Sequence, residues 1–273
     1  MKKILAPIDF SLASKTGFDS ALQISTIANV EIYALNIYQI AANNYSPDVS
    51  LLLRREVEKK RSSALDKFTG NYPNLGTLDE IKPKVGTNIR CGNIVNEIVA
   101  FSEENEIDLI VIGTKAKHNL WEYLFGSIST NLIKKSKIPV LIIPEGFHFE
   151  APKNIAFAND FMVNEVSFSY LDDFADIFGA AIHQVHVNIL PSDFSDLKEE
   201  KIETSNDEKH KIATVIRDKS VVKGLDFFIN THNIDLLALY LPERTFTGDL
   251  LHNSVSKRLA LNSKIPMLIF KES

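Results

Sequence analysis

Residues 108–143 read DLIVIGTKAKHNLWEYLFGSISTNLIKKSKIPVLII, and residues 235–270 read DLLALYLPERTFTGDLLHNSVSKRLALNSKIPMLIF. Shifted by 127 residues, the two stretches align without a gap. Asp108 meets Asp235, Ser127 meets Ser254 and Ser129 meets Ser256, and the run Ser136–Pro139 recurs unchanged as Ser263–Pro266. Upstream, Ile4–Phe10 (ILAPIDF) lies on Ile155–Phe161 (IAFANDF). Self-similarity at a fixed shift is the signature of a repeated structural unit. The chain of 273 residues is long for one small domain and comfortable for two. Pro144, Gly146 and Pro152 punctuate a seam near residues 145–154. The expected division is a first domain over 1–147 and a diverged second domain over 148–273.

Within the first copy, apolar runs of strand length alternate with helical periodicity. Ile4–Ile8, Glu31–Ile37, Ile81–Val85, Leu109–Ile112 and Pro139–Ile143 read as strands. Helices are expected from about Ala13 to Ala28 with Ser11 as N-cap, from Val49 to Thr69, from Asn93 to Asn105 and from Ser127 to Lys135. On the second of these, Leu52, Leu53, Val57, Ala64, Leu65 and Phe68 mark the inward face. The second copy repeats the order with strands near 154–158, 181–188, 212–216, 235–239 and 266–270. Its charged middle, Asp196–Lys211, reads as a short or irregular helix. Strands separated by helices imply right-handed crossovers and a parallel sheet covered on both faces. The expected fold is therefore α/β, as two tandem doubly wound domains, each with a mainly parallel five-stranded sheet.

In such a sheet, ligands sit at the carboxyl ends of the strands, where the strand order reverses. Asp9 follows the first strand, Gly113 follows the fourth, and Gly126-Ser127-Ile128-Ser129 opens the helix leading to the fifth. A glycine lets backbone approach an anion with no β-carbon in the way. The first N–H groups of a helix lack internal partners and, with the helix dipole, favour negative charge. Ser127 and Ser129 add hydroxyls in the same turn, and a carboxylate at the Asp9 position suits a pair of ribose hydroxyls. Each residue also has a plainer reading. Gly126-Ser127 is equally a helix start with an N-cap serine, Asp9 a helix cap, and Gly113 turn chemistry.

Asp9 after ILAPI, then Gly113-x-x-Ala116, nine residues, Gly126-Ser127, Ser129 and the terminal IPVLIIP together resemble the universal stress protein family. Its nucleotide-binding members carry a glycine, two residues, a glycine, nine residues, then glycine and serine or threonine. The spacing is met in full, with Ala116 at the second glycine. The resemblance covers nearly the whole chain and is to the family's tandem members. It implies an adenine-nucleotide alpha-hydrolase-like fold and an ATP-like adenine nucleotide, with or without Mg2+, in the first domain only. The implied contacts are Pro7, Ile8, Asp9, Ile112, Gly113, Ala116, Gly126, Ser127, Ile128 and Ser129, with Asp9 near the ribose and Gly126, Ser127 and Ser129 on the phosphates. In the second copy Tyr240 stands at Gly113, Glu243 at Ala116 and Asn253 at Gly126, so that site is expected to be degraded. The implied role is stress response or regulation, with at most slow ATP hydrolysis. The alternative is a ligand-free interaction protein that keeps the fold and has lost nucleotide binding.

Other chemistries find little support. No catalytic residue and no metal ligand are expected: the histidines form no ligand spacing with Cys91, and there is no HExxH, GxSxG or GxxxxGK[ST] pattern. His183 and His186, three apart on a strand, point to opposite faces. Net charge is −5 with no basic stripe, which argues against nucleic acid. One cysteine excludes an internal disulfide, and the lack of a long apolar run argues against a membrane span, so a cytoplasmic protein is expected. The apolar runs Pro139–Ile143 and Pro266–Phe270 each end their copy at a sheet edge. An uncovered apolar edge invites aggregation, so the two are expected to pair antiparallel as an intramolecular pseudo-dimer. A homo-oligomer or a protein partner remains a further possibility for the assembled chain.

Overall fold

The computed structural model describes residues 1–40, 47–70, 83–115, 127–159, 165–189, 198–203, 212–241 and 265–271. The strands are β1 (Lys3–Ile8), β2 (Glu31–Tyr38), β3 (Val85–Cys91), β4 (Leu109–Thr114), β5 (Val140–Pro144), β6 (Asn154–Ala158), β7 (Ala181–Ile189), β8 (Lys198–Glu203), β9 (Ile212–Asp218), β10 (Leu236–Leu241) and β11 (Met267–Lys271). The helices among the described residues are α1 (Leu12–Ala28), α2 (Pro47–Gly70), α3 (Ile94–Glu104), α4 (Ser127–Lys135), α5 (Glu165–Phe178) and α6 (Val221–Thr231).

All the described strands join one sheet, ordered β3-β2-β1-β4-β5-β11-β10-β6-β7-β9-β8. Each half contributes five parallel strands in the doubly wound order, so the chain order reverses between β1 and β4 and again between β6 and β10. The pairing respects the repeat read in the sequence. Ile4 faces Leu109 as Ile155 faces Leu236, and Ile110 faces Val140 as Leu237 faces Met267. One local device recurs as well. Asp108 Oδ2 accepts from the N–H groups of Lys2 and Lys3 at 2.6 and 2.9 Å, and Asp235 Oδ2 from those of Lys153 and Asn154 at 2.7 and 2.9 Å. Each carboxylate anchors the start of its half's first strand beside the start of β4 or of β10.

The halves meet where the two final strands pair antiparallel, with Leu141 opposite Leu268 and Ile142 opposite Met267. Leu141 and Leu268 are fully buried. Burial of such a side chain is worth about 1.5–3 kcal/mol, so the seam belongs to the core. One layer of side chains, from α1, α2 and α5, covers one face of the whole sheet. Another, from α3, α4 and α6, covers the other. The segment joining the halves is packed: Gly146 N–H donates to Thr16 Oγ1 at 3.1 Å, and buried Phe149 meets the Phe178 ring edge-on at 6.0 Å.

Three expectations need correction. β3 begins at Val85, where the strand expected over Ile81–Val85 ends; Ile81 lies outside the described residues. β3 is an edge strand and half-exposed, so the polar residues of VGTNIRC are tolerated and no continuous apolar run marks it. Part of the charged stretch Asp196–Lys211 forms β8, a sixth and antiparallel strand of the second half, instead of a helix. Its sequence, KEEKIE, suits an edge, where charge deters pairing with another chain. On α2, Leu65 is buried and Ala64 and Phe68 are partly covered, but Leu52 and Leu53 are exposed.

Candidate functional site

A cleft of about 380 Å³ opens at the carboxyl ends of β1, β2 and β4, at the reversal between β1 and β4. Ile8, Leu35, Ile37, Ile94, Ile98 and Ile112 make its walls apolar. Its polar side chains, among the described residues, are Asp9, Ser11, Ser14, Thr114, Lys115 and Ser129. An apolar slot with a few placed polar groups is the usual character of a small-molecule site.

Pro7, Ile8, Asp9, Ile112, Gly113, Ile128 and Ser129 therefore come together as one lining. Ser127 begins α4, the helix that brings Ile128 and Ser129 to the cleft. Ala116 and Gly126 lie outside the described residues. Ile94, Ile98, Ser14, Leu35, Ile37, Thr114 and Lys115 also line the cleft and are not among the residues the sequence pattern implies. The signal for the last two was their place directly after Gly113.

Asp9 follows β1 and organises the turn into α1. Its Oδ1 accepts from Ser11 N–H at 2.9 Å and from Ser11 Oγ–H at 2.5 Å. Ser11 Oγ in turn accepts from Ser14 N–H at 3.2 Å, which makes Ser11 the expected N-cap. Asp9 is not itself the cap; it holds the cap residue Ser11 in place. Phe10, between them, has φ 66°, a left-handed conformation unusual for an aromatic residue. Partial burial pushes the Asp9 carboxyl up, but the hydrogen bonds from Ser11 and Ser14 outweigh it and hold it below the ordinary 3.8. At neutral pH the cleft mouth thus carries a carboxylate.

Gly113 is explained by packing as much as by any ligand. A β-carbon there would lie 1.7 Å from the Ala13 carbonyl oxygen. Backbone of α1 rests directly on backbone of β4, and this contact sets how closely the first turn of α1 approaches the cleft. On the opposite side, α4 carries no acid in its first turn and Lys134 and Lys135 in its last. The positive end of its dipole is therefore left without a neutralising acid in its own first turn, which favours an anion there.

The model of the universal stress protein family matches residues 1–144. The chain belongs to that family. Universal stress protein MJ0577 of Methanocaldococcus jannaschii is 31% identical over 152 residues, covering 52% of this chain and 94% of the relative. Universal stress protein MJ0531 of the same organism is 31% identical over 149 residues, covering 52% of this chain and 81% of the relative. Over the whole length, the crystal structure of a universal stress protein from Archaeoglobus fulgidus superposes with a TM-score of 0.68 at 18% identity, covering 99% of this chain and 98% of the other. That likeness establishes the fold across both halves.

The second half of this universal stress protein builds the equivalent place differently. The shifts that align the halves put Ala6, Gly113 and Ile143 on Phe157, Tyr240 and Phe270, and the matching bonds from Val30 N–H to the Ser25 carbonyl and from Ala180 N–H to the Ala175 carbonyl put Phe18 of α1 on Phe168 of α5. Phe157 meets Phe168 at 5.2 Å and Phe270 at 5.7 Å, and Tyr240 meets Phe270 at 5.9 Å, centroid to centroid. In the second half rings stand where the first half has Ala6, Gly113 and Ile143. Asp160, Glu243, Asn253, Ser254 and Ser256 lie outside the described residues. His183 and His186 take separate partners, the Asn154 side chain at 3.0 Å and the Asn159 carbonyl at 2.9 Å. Among the described residues no three histidine, cysteine or acidic side chains gather to hold a metal, and no helix is long and apolar enough to cross a membrane.

Proposed function

We propose that this universal stress protein binds one ATP-like adenine nucleotide per chain, in the first-half cleft, and acts in stress response or regulation as a cytoplasmic protein. The observation that carries the reading is the cleft at the strand reversal, with an ionised carboxylate at its mouth and a helix start on its far wall. The base would lie between the apolar walls and the ribose hydroxyls against Asp9. The phosphates would face Ser127, Ser129 and the start of α4, with Gly126 and Ala116 in the connecting loop as the family pattern implies. Mg2+, if carried, would ride on the phosphates, since it keeps several waters and needs few protein ligands. Asp9, the one carboxylate among the cleft's described residues, is occupied with the ribose in this reading, so turnover is at most slow hydrolysis.

In this reading the chain is a tandem duplication with domains over 1–147 and 148–273, working as an intramolecular pseudo-dimer joined at β5 and β11. The second domain holds no nucleotide, because the bulky Tyr240 stands where the first half has Gly113. A second reading, a ligand-free interaction protein, is favoured by one observation: packing alone accounts for Gly113. Denaturing the purified protein and identifying released small molecules by chromatography and mass spectrometry separates the two. Release of an adenine nucleotide supports the first. A protein that releases none and stays unresponsive to added ATP supports the second.

A further inference from the structure

α2 is longer than the sheet it covers. Its later turns lie on β2 and β3. Tyr38 Oη–H, at the end of β2, donates to Glu58 at 2.8 Å, Arg61 donates to Asn36 Oδ1 at 3.0 Å, and Thr87 Oγ1–H of β3 donates to Asp66 at 3.1 Å. Leu65 is fully buried there. The helix therefore runs back along the strands from Glu58, and its start stands beyond the carboxyl end of β2. Every described side chain from Asp48 to Glu56, about two and a half turns, is exposed. That stretch nonetheless carries Val49, Leu51, Leu52 and Leu53, with Leu51 49% and Leu52 61% exposed. A projecting helix gains no stability from packing of its own, and clustered exposed apolar side chains mark an interaction surface.

One face of the segment decides what covers it. Asp48, Leu51, Leu52 and Arg55 stand at i, i+3, i+4 and i+7, so they line one side of the helix in the order acid, leucine, leucine, base. That order is complementary to itself. Laid antiparallel on a second copy about a two-fold axis, it brings Asp48 opposite Arg55, Leu51 opposite Leu52, and Arg55 opposite Asp48. A two-fold contact requires this relation, in which the same patch serves both copies. The segment suits an anionic membrane poorly, because Asp48 and Glu56 cancel Arg54 and Arg55. β5 and β11 each have a neighbour on both sides within the chain, so neither final strand offers an edge to a second copy. We propose that two copies of this chain associate through the starts of their α2 helices, packed antiparallel with Leu51 and Leu52 at the centre and an Asp48–Arg55 pair at each end. A helix pair of this length is a small interface, so the dimer forms as concentration rises and parts on dilution.

The test is analytical ultracentrifugation of the full chain and its variants over a wide range of concentration. Asp48, Leu52 and Arg55 are exposed, so the variants should fold, and thermal melting checks that they do. The native chain should pass from monomer to dimer as concentration rises. Leu52→Gln, which keeps a good helix former, should weaken the dimer by roughly tenfold or more. Asp48→Lys and Arg55→Glu each set like charges opposite one another at both ends, and each should weaken it by roughly tenfold. The double exchange Asp48→Lys/Arg55→Glu restores opposite charges and should return the dimer to within roughly threefold of native. A merely structural effect of either change on the helix would not be rescued in this way. A chain that stays monomeric at every concentration overturns the proposal, as does a dimer that Leu52→Gln leaves intact. Single exchanges that weaken the dimer with no rescue by the double overturn the antiparallel pairing. A monomeric chain that instead binds phosphatidylserine vesicles, and loses that binding in Leu52→Gln, gives the surface to a membrane and overturns the dimer.

Discussion

Gly17 of α1 and Gly113 of β4 stand backbone against backbone: a β-carbon on Gly17 would lie 2.5 Å from the Gly113 nitrogen. No side chain could rotate away to relieve that overlap, because the neighbour is main chain. Neither residue has positive φ, so the requirement for glycine is steric and not conformational. The contact joins two parts of the argument. It packs the helix on the sheet, and it fixes the position from which Ser11 and Ser14 address Asp9.

Gly17→Ala and Gly113→Ala should therefore each destabilise the protein by about 3 kcal/mol or more, at or above the upper end of ordinary overpacking. Gly86→Ala is the control. A β-carbon there meets Tyr33 at 3.6 Å, ordinary contact on an edge strand, and the change should stay within about 1 kcal/mol. Urea midpoints measure all three.

The Asp9 carboxyl is held below its ordinary value in the fold, so the unfolded chain binds its proton more readily. Its contribution is present above the ordinary 3.8 and is lost as pH falls through the lower folded value. Asp9→Asn should remove this part of the acid limb, giving a flatter fall in stability below about pH 4 with little change in slope near neutrality. Denaturant melts across that range check the sign. A variant whose acid limb matches the parent would count against the Ser11 and Ser14 hydrogen bonds as the cause.

Asp108 and Asp235 each accept two main-chain N–H groups at the start of a strand. Asp108→Ala and Asp235→Ala should each cost about 1–3 kcal/mol, since each leaves donors to find water or go unpaired. Chemical denaturation reads the loss. Similar costs at the two positions would fit equivalent parts of a repeated unit; a loss at one and none at the other would argue against that equivalence.

Much of this architecture could be read from the chain because apolar runs and turn residues are local signals. The two copies of SKIP, the strand ends at Ile8 and Ala158, and Ser11 as a cap are legible in that way. What escaped reading depends on neighbours distant in sequence. β3 is an edge strand and needs no apolar run, so its alternating residues gave little signal. The charge in β8 reads as a short or irregular helix until its pairing with β9 is known. At the site, Asp9 and Gly113 were legible as strand-end residues, but Gly17 was not. A glycine inside a helix is ambiguous until the strand it lies on is known. Leu35 and Ile37 line the cleft only because the order β2-β1-β4 brings the end of β2 beside it.

The pairing of β5 with β11 makes the seam part of one core, with Leu141 opposite Leu268. Amides of Val140–Ile142 and Met267–Ile269 should accordingly exchange hydrogen through the same opening, with the same free energy and the same denaturant dependence. Exchange at β11 that proceeds well below the opening energy of β5 would show that the halves come apart on their own.

The most direct test of the central claim is the stoichiometry of ATP binding to the intact, nucleotide-free chain, measured by calorimetry with magnesium present. One equivalent per chain is expected, placed by chemical-shift changes at Asp9, Thr114, Lys115 and Ser129 in the first half. No binding, or two equivalents with changes also at Asn159 and Tyr240 in the second half, would contradict it.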